Sequence, residues 1–71
     1  MMKVGVIGCG NIADIYLKNS KQYFNNFEIV ACADIKEEAS KSFSEKYNVR
    51  QLSVEDFLAD NEIEFIINLT I

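Results

Sequence analysis

Three small residues and one acid carry the chemistry open to this sequence. Gly8, Gly10 and Ala13 form G-x-G-x-x-A directly after the apolar run Lys3-Val4-Gly5-Val6-Ile7, and Asp34 closes a second apolar run, Phe27 to Ala33. In such an arrangement Gly8 lets the chain turn sharply and Gly10 presents bare backbone to a pyrophosphate. Ala13 is small enough for a following helix to pack on the strand. The start of that helix offers free N–H groups and a partial positive charge to phosphates. Asp34 stands about 20 residues on, where an adenosine ribose would offer its hydroxyls. The pattern therefore expects a dinucleotide. A carboxylate at the ribose repels a 2′-phosphate, which favours NAD over NADP. Lys36 keeps NADP open, since a cation two residues on is able to hold a 2′-phosphate.

Other side chains carry two readings each. Asn11 caps the helix, or caps it and also meets a phosphate. Ile35 lies against the adenine, or packs beneath the helix that follows. Thr70 faces the pyrophosphate or the nicotinamide ribose, or simply ends a strand. Cys9 reads as a small filler of the loop, because a nucleophilic thiol needs a neighbouring base and none is near. Tyr16 and Lys18 fall on different sides of a helix, as a core tyrosine and a solvated lysine. The acids Glu37, Glu38, Glu45, Asp56, Glu62 and Glu64 are scattered, as solubility and helix-end charges are. The chain has no histidine, the commonest acid–base side chain, and we assign no catalytic residue. Cys9 and Cys32 are too few ligands for a metal site and are expected as reduced thiols of a cytoplasmic protein.

These residues need a scaffold, and the hydrophobic pattern supplies one. Strands are expected over 3–8, 27–33 and 64–71, with a short third strand or extended connection over 49–52. Helices are expected over 11–24 and 36–47, the second with Ala39, Phe43 and Tyr47 on its inner face. Ser53-Val54-Glu55-Asp56 resembles a capping box, with Asp in place of the usual Glu, and opens a third short helix to about Ala59. Asn25-Asn26 and Asp60-Asn61-Glu62 are turns. The order is βαβαβαβ, which predicts an α/β fold: the first half of a doubly wound, Rossmann-type parallel sheet with strand order 3-2-1-4.

Composition narrows the function classes. The chain has 71 residues, so residues 1–71 form at most one domain, and 49% of them are hydrophobic, which argues against a disordered chain. A net charge of −4 with no basic cluster argues against nucleic acid, and no apolar run approaches a membrane span. The sequence closes on an apolar strand at Thr70-Ile71, so a partial dinucleotide-binding domain of a longer protein is expected.

With these residues assembled, the chain resembles the N-terminal part of the Gfo/Idh/MocA family of NAD(P)-dependent oxidoreductases. The matching segments are Val4 to Ala13, Val30-Ala31-Cys32-Ala33-Asp34, the Ala39, Phe43 and Tyr47 face, Ser53 to Leu58, and Ile63 to Ile67. The resemblance implies a pyrophosphate held at Gly8, Cys9, Gly10, Asn11 and Ile12. It also implies adenosine at Asp34 and Ile35, and Leu69 and Thr70 near the nicotinamide side. Tyr16 departs from the family, which often has histidine there. The family's catalytic lysine and its substrate domain match no residue of this chain, and a small-molecule substrate and a homo-oligomer are implied for the parent. The function expected is the NAD(P)-binding portion of an oxidoreductase acting on a sugar, polyol or related carbonyl compound. A nucleotide sensor or scaffold without catalysis is the alternative. A methyltransferase ranks third, because its loop usually wants glycine where Ile12 stands.

Overall fold

The computed structural model describes residues 2–10 and 27–70. The helix expected over 11–24, and with it Asn11, Ile12, Ala13, Tyr16 and Lys18, lies outside the described residues, as does Ile71. The elements are strand β1 (Met2–Ile7), strand β2 (Phe27–Ala33), helix α1 (Glu37–Tyr47), strand β3 (Arg50–Gln51), helix α2 (Val54–Leu58) and strand β4 (Phe65–Asn68). The sheet runs β3-β2-β1-β4, and every pairing is parallel. This is the expected order.

Alternate side chains of a strand point to opposite faces, so a sheet covered on both sides needs apolar residues at successive positions. The runs in β1 and β2 meet that need. On one face Val6, Cys9, Cys32 and Phe43 are buried together, with Ala39, Tyr47 and Ile67 packed around them. On the other, Ala31, Ala33 and Phe57 are buried with Ile7, Val30 and Leu52. The β1–β2 register shifts between Val4, opposite Ile29, and Gly5, opposite Ala31. Val30 is thus the extra residue of a bulge.

The helices are placed by short-range signals. Phe43 is buried on the inner face of α1, and its ring centroid lies 4.6 Å from that of Tyr47. α1 stops at Asn48, whose left-handed φ of 55° is tolerated by few residues other than glycine. α2 is capped by Ser53, whose Oγ accepts from the Asp56 N–H at 3.1 Å. Gly5 admits α2 to the sheet: a Cβ there would sit 2.7 Å from two carbons of the Phe57 ring.

The ends of β4 and β1 differ from expectation. β4 ends at Asn68 and does not reach residue 71. The Asn68 carboxamide oxygen accepts from the Thr70 N–H at 3.0 Å, and this local side-chain bond takes the chain out of the ladder. β1 ends at Ile7, because Gly8 adopts a φ of 96° that no strand residue has. Among the described residues no helix is long and apolar enough to cross a membrane.

Candidate functional site

All four strands run the same way, so their carboxyl ends share one edge of the sheet. Gly8 and Cys9 follow β1, Asp34 follows β2, Leu52 and Ser53 follow β3, and Leu69 and Thr70 follow β4. The Gly8 N–H donates to the Ala33 carbonyl at 3.0 Å, and the Leu69 N–H to the Ile7 carbonyl at 2.8 Å. A Cβ on Gly8 would lie 2.7 Å from both the Leu69 carbonyl carbon and the Thr70 nitrogen. Glycine is required there twice over, by its φ and by backbone passing directly against it.

Gly10 is different. Its φ is not positive, and a Cβ built on it would meet nothing within 4 Å among the described residues. Neither backbone conformation nor packing against those residues demands glycine at this position. It leaves a strip of bare, exposed main chain beside the turn.

Asp34 ties the edge together. Its Oδ2 accepts from the Cys9 N–H at 2.7 Å and its Oδ1 from the Lys36 N–H at 2.8 Å. No ion pair to Asp34 occurs among the described residues. An ionised carboxylate accepts about four hydrogen bonds, so each oxygen keeps capacity for another donor. The Cys9 thiol donates to the Ala33 carbonyl at 3.3 Å and is buried. The Cys32 thiol beside it, then burial, then the charges of Cys32 and Asp34, push the Cys9 thiol far above the ordinary thiol range. It is therefore an inert, protonated filler, as the sequence suggested.

A cavity of about 540 Å³ opens beside Asp34, lined by Asp34, Ile35, Glu37, Ser40 and Gln51 to Val54. Ile35 is 90% exposed and lines this cavity, so it does not pack beneath α1.

The structure thus brings Gly8, Cys9, Gly10, Asp34 and the Leu69-Thr70 backbone to one edge, with Ile35 at the cavity. Two side chains there are engaged locally. Leu69 packs on the Val6–Cys32 core, and the Thr70 hydroxyl donates to the Asn68 carboxamide oxygen at 2.6 Å. The cavity wall from Gln51 to Val54 was not singled out from sequence. The one available signal was that the end of β3 must share the edge with the end of β2.

The family of oxidoreductases with an NAD-binding Rossmann fold, Gfo/Idh/MocA, matches residues 2–70. No curated protein matches the chain. Among solved structures, the WlbA dehydrogenase from Chromobacterium violaceum, in complex with NADH and UDP-GlcNAcA, is 26% identical with a TM-score of 0.83. That match covers 97% of this chain and 20% of the other. The fold is also that of myo-inositol dehydrogenase from Lactobacillus casei, in complex with NAD(H) and myo-inositol: 23% identity and TM-score 0.81 over 99% of this chain and 22% of that one. A 3-ketoreductase from Actinomadura kijaniata, in complex with NADP, aligns at 23% identity and TM-score 0.77 over 92% of this chain and 20% of that one. The chain therefore spans about a fifth of the length of the solved structures it matches. With four parallel strands in the order 3-2-1-4 and a family match over nearly its whole length, the chain belongs to the Gfo/Idh/MocA oxidoreductases as an NAD-binding Rossmann domain.

Proposed function

We propose that this chain holds the dinucleotide in an oxidoreductase acting on a sugar, polyol or related carbonyl compound. The substrate is held by parts of the protein outside these residues. When bound, the nicotinamide supplies or accepts the hydride; the protein contributes position and electrostatics. UDP-GlcNAcA and myo-inositol, bound in relatives of like fold, support that substrate class.

The roles follow from the edge. Gly8 makes the turn, and Gly10 lets a pyrophosphate reach the backbone, which gives a reason for glycine where packing against the described residues offers none. Asn11 and Ile12 are assigned to the same pyrophosphate through the family pattern. Asp34 receives the adenosine ribose, Ile35 offers an apolar surface to the base, and Leu69 and Thr70 border the nicotinamide side through their backbone.

The observation that carries this reading is Asp34. Its carboxylate is already oriented by two backbone N–H groups, with no cation paired to it among the described residues, beside a cavity large enough for an adenosine. A fixed negative charge there accepts ribose hydroxyls and repels a 2′-phosphate. Titration of the protein with NAD and NADP tests it. NAD is expected to bind more tightly, and Asp34→Ala to narrow the gap. Equal affinities in the unsubstituted protein would remove the assignment of Asp34.

A further inference from the structure

Beside Asp34, the cavity lining includes a polar cluster that is bonded to itself. Gln51 ends β3, paired with Cys32 in the ladder, and lines the cavity. Its Nε2 donates to the Ser40 Oγ at 2.8 Å and to the Glu37 carbonyl at 3.1 Å. The Ser40 hydroxyl, on a residue only 2% exposed, donates in turn to that carbonyl at 3.0 Å. A peptide carbonyl only accepts, so the amide nitrogen of Gln51, and not its oxygen, must face Glu37. This fixes which way the carboxamide is turned. Both Nε2 hydrogens are then engaged. The remaining group, Oε1, is an acceptor bonded to no described residue.

We propose that Gln51 reads the base of the dinucleotide: its Oε1 accepts a hydrogen bond from the exocyclic 6-amino group of adenine. The proposal rests on the reading that the cavity beside Asp34 takes the adenosine end. It assigns discrimination to a second place. Asp34 acts at the ribose 2′ position, whereas Gln51 acts at the purine edge. A hypoxanthine or guanine base carries a carbonyl at the 6-position, which would set acceptor against acceptor. Because α1 already holds the carboxamide, little side-chain freedom is lost on binding, so the discrimination is available without rearrangement.

The test is equilibrium titration with NAD and with nicotinamide hypoxanthine dinucleotide, in which a 6-oxo group and a proton on N1 replace the 6-amino group and the bare N1. NAD should bind about tenfold more tightly, the loss of one neutral hydrogen bond and its replacement by an unmatched acceptor. Gln51→Leu should abolish the difference, mainly by weakening NAD. Ser40→Ala frees one of the two tethers on Nε2 and leaves Oε1 in place, so it should reduce the difference without abolishing it. Equal affinities for the two dinucleotides in the unsubstituted protein would overturn the proposal, as would a folded Gln51→Leu that keeps the preference. Should Gln51→Leu fail to fold, the unsubstituted protein and Ser40→Ala decide. Binding of neither dinucleotide would instead overturn the assignment of the cavity to adenosine, and this proposal with it.

Discussion

At the amino edge of the sheet, Arg50 donates to Asp60 Oδ2 at 3.0 Å and to Glu62 Oε1 at 2.9 Å, and Lys3 Nζ lies 3.5 Å from Glu62 Oε2. At the carboxyl edge, the bonds of Asp34 among the described residues are to backbone N–H groups, from Cys9 and Lys36. The first edge pairs charge with charge across exposed surface, and little capacity is left over. The second orients a single charge through main-chain dipoles and leaves it able to accept more. The difference teaches where a ligand belongs. An ion pair in water is nearly self-sufficient and weakly stabilising, whereas a carboxylate held by amides is preorganised for donors still to come. The parallel arrangement puts both edges on the same four strands, so they can be compared within one molecule.

The strongest way to break this comparison lies in the two glycines of the turn. Gly8→Val forces a side chain into a left-handed φ and against Leu69 and Thr70 backbone that cannot move aside. It should destabilise by about 3 kcal/mol or more, the sum of backbone strain and overpacking. Gly10→Ala meets no described atom and should leave stability within about 0.5 kcal/mol. Its effect should fall on NAD affinity instead, as a weakening of about tenfold or more for a methyl group set against the pyrophosphate. Urea denaturation and NAD titration of both variants separate the two demands. Equal destabilisation by both substitutions would show that Gly10, like Gly8, is there for the fold.

Asp34→Ala comes next. It strips acceptors from the Cys9 and Lys36 N–H groups, and the Cys9 bond is partly buried. Leaving such a donor unmatched should cost about 1–3 kcal/mol. Asp34→Asn keeps an acceptor of the same shape and should recover part of that stability. If Asp34→Ala is as stable as the unsubstituted protein, the carboxylate is not what orients the glycine turn.

These contrasts also mark what the sequence could disclose. The strand order, α1 with Phe43 inside, the Ser53 cap and the Gly8 turn were all legible, because each depends on residues close in sequence or on a period of two or 3.6. Asp34 was legible as an acid at a strand end, but its bond to Cys9 joins residues 25 apart and has no local signature. Gln51 was missed for the same reason: its partners Glu37 and Ser40 lie across the α1–β3 connection. Gly5 carries no signal of its own in the sequence, yet the Phe57 ring occupies the space of its missing side chain. The early end of β4 was missed because an apolar run reads as strand until a side chain competes for the backbone, and Asn68 does so.

At the amino edge smaller effects are expected. Arg50→Ala removes both of its ion pairs, yet the guanidinium is half-exposed. Such pairs are screened by salt and resisted by side-chain entropy. The unfolding midpoint should fall slightly at low ionic strength, and that difference should shrink in 1 M salt. A salt-independent loss as large as that of Asp34→Ala would erase the distinction between the edges.

The smallest effect is a pH dependence carried by Asp60. The Arg50 guanidinium, through its hydrogen bond, and then the Glu62 N–H hold the Asp60 carboxyl below the usual carboxylate range. A folded-state pKa lower than the unfolded one means that the unfolded chain binds the proton more readily. The stabilisation is therefore complete above the unfolded pKa, at about pH 4, and is lost as pH falls through the depressed folded value. Asp60→Asn removes this contribution at neutral pH, so its stability should lie slightly below that of the unsubstituted protein at pH 7 and converge with it toward pH 2. Because its partner guanidinium is half-exposed, added salt should narrow the gap at pH 7. A gap that widens on acidification would mean that Asp60 is stabilised when protonated, and the amino edge would then not be held by paired charges.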